Sequence, residues 1–388
     1  MNKLRRLVYF YCSLQLVAAS GFPTAAVVAQ TINPAAAGPW AVGHIRFDAV
    51  DGSRNDRLLA VDAWYPVDAE DVSGENTLYP LAEGLNIASE LAFDNLPVSA
   101  LQYRHLLVFS HGFGGTNTQS VPLMETLASH GFIVVSPEHT GNTNDADPQL
   151  SAEQAAMDRV PDVSFIIDHM VARARDETDA FFTRIHPTRV GVLGHSFGGT
   201  TAMGMELGFG GGEPDPRVVA IQPISGDIAV ETYTEQDLAN VNVPVLLVGG
   251  TEDASVPIAL NARAFTHITG RQPVYQLDLL GATHTHFANI CAIADTLIAG
   301  GITPAIWPSI GAEALIEPYN QTCTEDAFPI DDAVRLQNLY TVAFFKTHLA
   351  GDLRYAAFLT RSYAADNEPL VDFFKKVRLP TLARFKFW

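Results

Sequence analysis

The residues best suited to chemistry in this sequence lie in a glycine-rich turn around Ser196, with the sequence Gly194-His-Ser-Phe-Gly198. A short apolar run containing the β-branched residues Val190 and Val192 precedes the turn, and several helix-forming residues follow it from Thr200 to Leu207. This context predicts a buried strand, a sharp turn and a helix, with the serine presented on the turn as a nucleophile. Glycines are needed there because the backbone segments approach too closely for a Cβ atom.

A serine hydroxyl is nearly inert without a neighbouring base, and the sequence offers two candidate histidines close to the end of a predicted strand. His284 and His286 follow the apolar stretch Val274–Leu279, within the segment Gly281-Ala-Thr-His-Thr-His286. His284 lies closer to the strand end. We therefore predict that His284 is the base, with His286 as the alternative.

A carboxylate must hold the imidazole in the right orientation and stabilise its protonated form. Asp253 lies in the loop after the apolar stretch Val245–Val248, with Pro257 four residues downstream, and this Asp-x-x-x-Pro arrangement favours it over Glu252. Asp227, in the loop after the preceding predicted strand, is a second alternative. The sequence thus predicts Asp253 as the acid.

The loop Phe109-Ser-His-Gly-Phe-Gly-Gly115 follows another short apolar strand. Acyl transfer through a serine develops a negatively charged oxygen, which backbone N–H groups must stabilise. We predict that the N–H groups of Phe113, in this loop, and of Phe197, directly after the serine, form the oxyanion hole. His111 is expected to shape the loop and His195 to pack beside the serine.

Together these residues predict acyl transfer, with Ser196 as nucleophile, His284 as base and Asp253 as the group that orients the base. Neither a metal nor another cofactor is implied, because the histidines lack ligand spacing with carboxylates or thiols. A catalytically silent fold that serves as a binding module is the alternative from another class of protein. An intact serine, aspartate and histidine argue against it.

The elements that must position these groups alternate along the chain from Leu106 onward. Short apolar strands are followed by amphipathic helices such as Arg159–Ala174, whose apolar residues recur at helical spacing. This pattern predicts an α/β fold, a mostly parallel central sheet with helices on both faces, in which catalytic groups collect at the carboxyl ends of the strands. His44–Val50 and Leu58–Tyr65 show period-two alternation on either side of a turn-rich loop, which predicts an N-terminal antiparallel hairpin.

Length and composition permit one large domain. The 388 residues are 47% hydrophobic and 17% charged, and no repeat or linker divides residues 30–388. The formal net charge of −19 repels nucleic acid and anionic lipid, so an uncharged substrate, small or polymeric, fits better. Cationic residues collect in Lys375–Trp388, which we interpret as a tail docked on the acidic body, with a weak surface anchor as the alternative.

Residues 1–29 have the pattern of a secretory signal peptide. Cationic residues near the start precede an apolar stretch, and small residues at the cleavage spacing end at Ala29. The apolar stretch is shorter than the roughly 20 residues that a membrane span needs. The sequence therefore predicts a secreted or periplasmic protein without stable membrane insertion. Cys12 would leave with the signal peptide, and oxidising conditions would join Cys291 and Cys323 in a disulfide.

Five segments together carry a family resemblance. They are Ser110-His-Gly-Phe-Gly114, Gly194-His-Ser-Phe-Gly-Gly199, Glu252-Asp-Ala-Ser-Val-Pro257, Gly281-Ala-Thr-His284 and, near the C-terminus, Val342–Tyr355. They resemble the dienelactone-hydrolase-like branch of the α/β-hydrolases, particularly the bacterial cutinase-like polyester hydrolases and, more distantly, the secreted platelet-activating-factor acetylhydrolases. The resemblance spans most of residues 40–360. It implies an α/β-hydrolase fold and a secreted serine hydrolase of carboxylic esters.

The chain departs from these relatives in two places. The cutinase-like polyester hydrolases have a tryptophan after the strand that follows the helix behind the nucleophilic serine, where this chain reads Gln222-Pro-Ile-Ser-Gly-Asp227. Residues 288–330, which hold both mature cysteines, have no counterpart in a minimal cutinase, and we interpret them as a lid or pocket wall. We expect neutral short-chain or aromatic esters as substrates. Polyesters and phospholipids of the platelet-activating-factor type stay open as alternatives.

Overall fold

Eleven strands form one mixed sheet in the computed structural model, which describes residues 32–82 and 84–377. The strands are Ala41–Asp51 (β1), Arg57–Val67 (β2), Asn76–Ala82 (β3), Leu85–Asp94 (β4), Arg104–Ser110 (β5), Ile133–Pro137 (β6), Ile185–His195 (β7), Val218–Ile224 (β8), Val245–Gly250 (β9), Val274–Leu279 (β10) and Val371–Lys376 (β11). Their order across the sheet is β11-β10-β9-β8-β7-β5-β6-β2-β1-β4-β3. The run from β10 to β6 is parallel throughout, and the flanking pairs β10–β11 and β2–β6 are antiparallel.

Helices cover both faces of this sheet. The described helices are Val121–Ser129 (α1), Ala152–Arg173 (α2), Phe197–Leu207 (α3), Glu235–Asn240 (α4), Ala259–His267 (α5), Ile290–Ala299 (α6), Ile316–Thr322 (α7), Ile330–His348 (α8) and Arg361–Asn367 (α9). On one face, apolar residues of α2 share a buried core with β5 and β7 residues such as Val108 and Val192. On the other face, Phe345 of α8 packs against Gly191, the neighbour of Val192 in β7. Successive residues of a strand point to opposite faces, so α2 and α8 lie on opposite faces of the sheet. The predicted fold class, a mostly parallel sheet with helices on both faces, is confirmed.

The predicted N-terminal hairpin is also confirmed, because β1 and β2 pair antiparallel along their whole lengths. The hairpin of β3 and β4 and the edge strand β11 were not predicted. Both lie at edges of the sheet, where exposed residues interrupt the apolar pattern that marks a buried strand. The short helices α4 and α5 were missed as well. Helix α2 begins seven residues before its predicted start, at a capping box formed by Ser151 and Gln154.

The two chain ends lie largely outside the described residues. The predicted signal peptide, residues 1–29, is one such segment, so export stays a prediction. Lys375 and Lys376 belong to β11 rather than to a tail, and residues 378–388 are again outside the described part. Within the described ranges, none of the helices combines the length and apolarity needed to cross a membrane.

A buried carboxylate pairs with a second carboxylate at the edge of the sheet. Asp278 in β10 is opposite Asp372 in β11. Gln276 Nε2 donates hydrogen bonds of 3.0 and 2.8 Å to the two carboxylate oxygens of Asp278. Burial raises the pKa of Asp278 to about 6; the bonds from Gln276 oppose this rise and the Asp372 charge adds to it. Because the pKa of Asp278 is higher in the folded than in the unfolded state, protonation of Asp278 favours the folded state. This contribution to stability is fully present below the unfolded pKa and is lost as pH rises through about 6.

We therefore expect Asp278→Asn to raise the free energy of unfolding at pH 8, on the order of 2 kcal/mol, and to have little effect near pH 4. Urea unfolding at both pH values measures the difference. Asp372→Asn is the control, and it should give a smaller gain at pH 8 because it removes only the neighbouring charge. The same gain from Asp278→Asn at pH 4 and pH 8 would contradict this account of the pair.

Candidate active site

The turn that carries Ser196 lies at the carboxyl end of β7, in the middle of the parallel part of the sheet. Ser196 is half-buried, has φ 57° and ψ −122°, and is followed directly by α3. Its N–H donates to Ile224 O in β8 at 2.8 Å. A positive φ with this ψ is strained for a residue other than glycine and persists only where the surroundings hold it. The predicted strand, turn and helix are therefore present, with the serine at the bend.

Two glycines make this turn possible. A Cβ on Gly198 would lie 1.8 Å from Ser110 O, and one on Gly194 would lie 2.4 Å from Gly198 O. No side chain fits at such distances from main-chain atoms. The end of β5 and the Ser196 turn can thus touch, which brings the loop after β5 beside Ser196.

Asp253 and His284 follow two neighbouring strands and meet at the same edge of the sheet. His284 Nδ1 donates to Asp253 Oδ2 at 2.8 Å, and the other oxygen of Asp253 accepts the N–H groups of Ser255 at 2.9 Å and Val256 at 2.7 Å. Burial raises the pKa of Asp253, but the hydrogen bonds from His284 and Val256 outweigh burial and leave it below its usual value. An ionised carboxylate on Nδ1 leaves Nε2 of His284 to accept a proton.

His195 connects this pair to the serine turn. It directly precedes Ser196, its ring centroid lies 4.6 Å from that of His284, and its Nε2 donates to His284 O at 2.9 Å. Burial, followed by the neighbouring His284, lowers the pKa of His195 to about 3, so it packs as a neutral ring. The structure thereby places the hydrogen-bonded pair of Asp253 and His284 beside the turn that carries Ser196.

His286, the alternative base, has both ring nitrogens engaged in structural hydrogen bonds. Its Nδ1 accepts the N–H of Thr283 at 2.9 Å, and its Nε2 donates to Phe328 O at 3.0 Å. The side chain is buried, and burial lowers its pKa. This geometry favours His284 as the base.

The alternative acids lie differently. Glu252 and Asp227 are exposed, and Asp227 accepts the N–H of Ala229 at 3.2 Å. Gln222, within β8, is buried and donates to Thr341 Oγ1 of α8 at 2.8 Å. The His284 Nδ1–H is donated to Asp253, and not to Glu252 or Asp227.

The two residues predicted to supply the oxyanion donors, Phe113 and Phe197, are in contact through their rings. Phe113 occupies a turn closed by the hydrogen bond from Gly115 N–H to Gly112 O, and Phe197 is the first residue of α3. N–H groups in the first turn of a helix have no partner within the helix. The rings of Phe113 and Phe197 pack edge to face with centroids 5.8 Å apart. His111, buried beneath this loop, donates from Nδ1 to Gly112 O at 2.7 Å.

Sequence reasoning missed Gln119, which joins the oxyanion loop to the histidines. Its Oε1 accepts the Gly112 N–H at 2.9 Å, and its Nε2 donates to His195 Nδ1 at 2.6 Å. A hydrogen-bonded path therefore runs from Gly112 through Gln119 and His195 to the main chain of His284. No motif around Gln119 indicated this role, because its partners come from distant segments.

Residues 288–330 form a helical segment attached to the His284 turn. The Asn289 N–H donates to Gln119 O at 2.9 Å, and Ser120 Oγ donates to Phe287 O at 2.9 Å. Trp307 packs with residues of α6 in a small separate core. The segment is closed by the predicted disulfide, which is confirmed between Cys291 and Cys323.

We expect Cys291→Ser/Cys323→Ser to lower the free energy of unfolding by about 3 to 4 kcal/mol, because the bond closes a loop of 32 residues. Urea unfolding of the oxidised proteins measures this. Adding a reductant should shift the wild-type midpoint towards that of the variant and leave the variant unchanged. Equal midpoints for wild type and variant under oxidising conditions would contradict the prediction.

Within the part of the chain that the structure describes, no group of three or more histidine, cysteine, aspartate or glutamate side chains could hold a metal ion. The arrangement around Ser196 is suited to nucleophilic attack by an activated hydroxyl, with an anionic oxygen received by main-chain N–H groups.

The chain is similar to one family model and to several curated proteins. Residues 97–299, slightly more than half of the chain, match the family model described as PET hydrolase-like. Cutinase 2 of Thermobifida cellulosilytica is 30% identical over 180 residues, which cover 46% of this chain and 59% of that protein. Cutinase cut1 of Thermobifida fusca is also 30% identical, over 46% of this chain and 49% of its own length. Chlorophyllase-1 of Citrus unshiu is 25% identical over 37% of this chain and 41% of its own length. The chain thus spans about half the length of the curated relatives it matches.

Proposed function

The chain belongs to the PET hydrolase-like family, and from this membership and the geometry around Ser196 we propose that it is a serine hydrolase of carboxylic esters. The observation that carries the proposal is the hydrogen-bonded pair of Asp253 and His284 beside a serine on a strained strand-to-helix turn. Relatives named cutinase support an ester substrate.

In the proposed reaction, Ser196 Oγ attacks the ester carbonyl carbon while His284 Nε2 accepts the hydroxyl proton. Asp253 stays ionised and stabilises the imidazolium. The carbonyl oxygen becomes negatively charged and accepts hydrogen bonds from the N–H groups of Phe113 and Phe197. His284 then donates the proton to the leaving alcohol. Water hydrolyses the acyl-enzyme, with the same groups acting in reverse order.

The surroundings of the site support a neutral substrate. The Phe113 and Phe197 rings make the surface beside the serine apolar, and the net charge of −19 disfavours anions. No aromatic residue follows β8 at Ser225, Gly226 or Asp227. A Cβ on Gly226 would lie 2.8 Å from the main chain of Gly199, so this position has no room for a ring.

We predict that soluble neutral esters are hydrolysed readily and solid aromatic polyester slowly. Stacking of an aromatic acyl group on a ring is typically worth about 1 kcal/mol, and this contact is missing after β8. Rates on p-nitrophenyl butyrate, p-nitrophenyl benzoate, a short-chain phospholipid and polyester film test this, at matched enzyme and accessible-ester concentrations. Ser196→Ala is the blank for every substrate.

Faster turnover of film than of p-nitrophenyl butyrate would overturn the predicted preference. Highest kcat/KM on the phospholipid would support the acyl hydrolase alternative. Absence of turnover on all four, together with no labelling by an organophosphonate, would instead identify a binding module with an inactive site.

A further inference from the structure

A buried arginine lies beneath the proposed oxyanion loop. Arg159, on α2, is 0% exposed. Its guanidinium donates to the main-chain oxygens of His111 and Gly112, to Asn142 Oδ1 and, at 3.2 Å, to Ser110 Oγ. All four acceptors are uncharged oxygen atoms, three of them at the end of β5 or in the loop that follows it.

The positive charge of Arg159 is not neutralised by direct contact with a carboxylate among the described residues. Asp162 lies one turn further along α2, but its oxygens accept Arg57 Nε at 2.8 Å and His139 Nδ1 at 2.9 Å. Burial lowers the pKa of Arg159 to about 9 and the nearby Asp162 raises it, so the guanidinium is charged at neutral pH. A buried cation is costly, and its orientation towards one loop therefore calls for an explanation.

The orientation of Arg159 is explained by the geometry of the peptide between Gly112 and Phe113. The Gly112 carbonyl and the Phe113 N–H belong to the same trans peptide, in which the two bonds point in opposite directions. The Gly112 oxygen accepts hydrogen bonds from Arg159 Nη2 at 3.1 Å, His111 Nδ1 at 2.7 Å and Gly115 N–H at 3.1 Å. Arg159 is thus one of three donors that hold this peptide, and hydrogen bonds to a peptide oxygen polarise the N–H of the same peptide as a donor.

The same guanidinium also contacts the second donor residue. Its central carbon lies 5.0 Å from the ring centroid of Phe197, within the range of a cation–π interaction. The Phe197 ring is held from other sides by Phe113 and by Phe209, at centroid distances of 5.8 and 5.5 Å. One side chain thus reaches both residues whose N–H groups receive the anionic oxygen.

We propose that Arg159 is a positioning residue of the oxyanion hole, which orients the Gly112–Phe113 peptide and holds Phe197 against it. This inference rests on the proposed esterase function. The ester carbonyl carries little charge before attack and a full negative charge afterwards, so the contribution is larger in the transition state than in the ground state. Removing the guanidinium should therefore lower kcat and leave KM nearly unchanged.

The test compares Arg159→Met, which keeps an unbranched chain without charge, with Arg159→Lys, which restores a charge but cannot bridge several carbonyls. Arg57→Gln is the matched control, because Arg57 also binds α2, through Asp162, and lies outside the oxyanion loop. The readouts are kcat and KM on p-nitrophenyl butyrate, the rate constant of inactivation by an organophosphonate, whose adduct has an anionic oxygen in the same hole, and the thermal midpoint.

We expect Arg159→Met to lower kcat by about 10- to 100-fold with KM within about threefold, and to slow inactivation in proportion. Arg159→Lys should recover part of this loss, while Arg57→Gln should keep kcat despite a lower thermal midpoint. Wild-type kcat in Arg159→Met, or an equal loss in Arg57→Gln, would overturn the inference. If Arg159→Met does not fold, a wild-type kcat and a wild-type rate of inactivation in Arg159→Lys would overturn the inference.

The same experiment separates this inference from the proposed function. A wild-type protein that neither turns over the ester nor reacts with the organophosphonate at Ser196 would end the esterase proposal. An active and labelled wild type with unaffected Arg159 variants would end the inference alone.

Discussion

Ser196→Ala should abolish ester turnover, with kcat lower by about 10⁶-fold, as occurs when the nucleophile of a serine, histidine and aspartate group is removed. The reason is chemical, because no other hydroxyl is presented on the turn between β7 and α3. Hydrolysis of p-nitrophenyl butyrate and covalent labelling by an organophosphonate measure the loss. The thermal midpoint should stay close to that of the wild type, since alanine has a similar size and leaves the positive φ unchanged.

Ser309→Ala serves as the control for this prediction. Ser309 is exposed on the segment after α6, and its hydroxyl donates to Ile306 O at 2.6 Å. Full labelling is expected in this variant and none in Ser196→Ala. Labelling that persists in Ser196→Ala, located by mass spectrometry at another residue, would refute the assignment of the nucleophile.

His284→Ala should lower kcat by about four to six orders of magnitude, because Nε2 is the atom that takes the proton from the serine and returns it to the leaving alcohol. His286, two residues away, provides the matched comparison. His286→Ala should keep kcat within about tenfold of the wild type but lose stability of about 1 to 3 kcal/mol, since it leaves the buried Phe328 oxygen and Thr283 N–H without their partner.

Both variants are measured by steady-state kinetics and by urea unfolding. The assignment requires a double dissociation: lost turnover with modest loss of stability for His284→Ala, and the opposite for His286→Ala. A greater loss of kcat in a folded His286→Ala would reverse the roles of the two histidines.

Electrostatic interactions support the proposed reaction at two places, the base and the oxyanion loop. Asp253 holds His284, whereas Arg159 supports the loop that contains Gly112 and Phe113. Gln119 joins the two halves through Gly112 and His195. The distinction between the roles is measurable, because loss of the base removes the reaction path while loss of a positioning residue only weakens its stabilisation.

The sequence alone determined the turn at Ser196, because this turn geometry depends on residues that are close together in the chain. Gly194 and Gly198 must lack Cβ atoms for Ser196 to lie at the bend, and that need is written as a local pattern. The apolar strands of the parallel sheet are equally local signals, since strands buried on both faces are apolar along their whole length. The β3–β4 hairpin at one edge of the sheet and β11 at the other lack this signal and were missed for that reason.

The tertiary structure decided what depends on contacts between distant segments. Asp253 is adjacent to Glu252 in sequence, and His284 is two residues from His286. The packing of β9 beside β10 shows that the hydrogen bond joins Asp253 and His284. Gln119 and Arg159 belong to no motif, because hydrogen bonds and cation–π contacts formed across the fold constrain spatial position and not spacing along the chain. The sequence by itself therefore determined where the serine lies, and the three-dimensional arrangement determined which side chains hold and orient the groups around it.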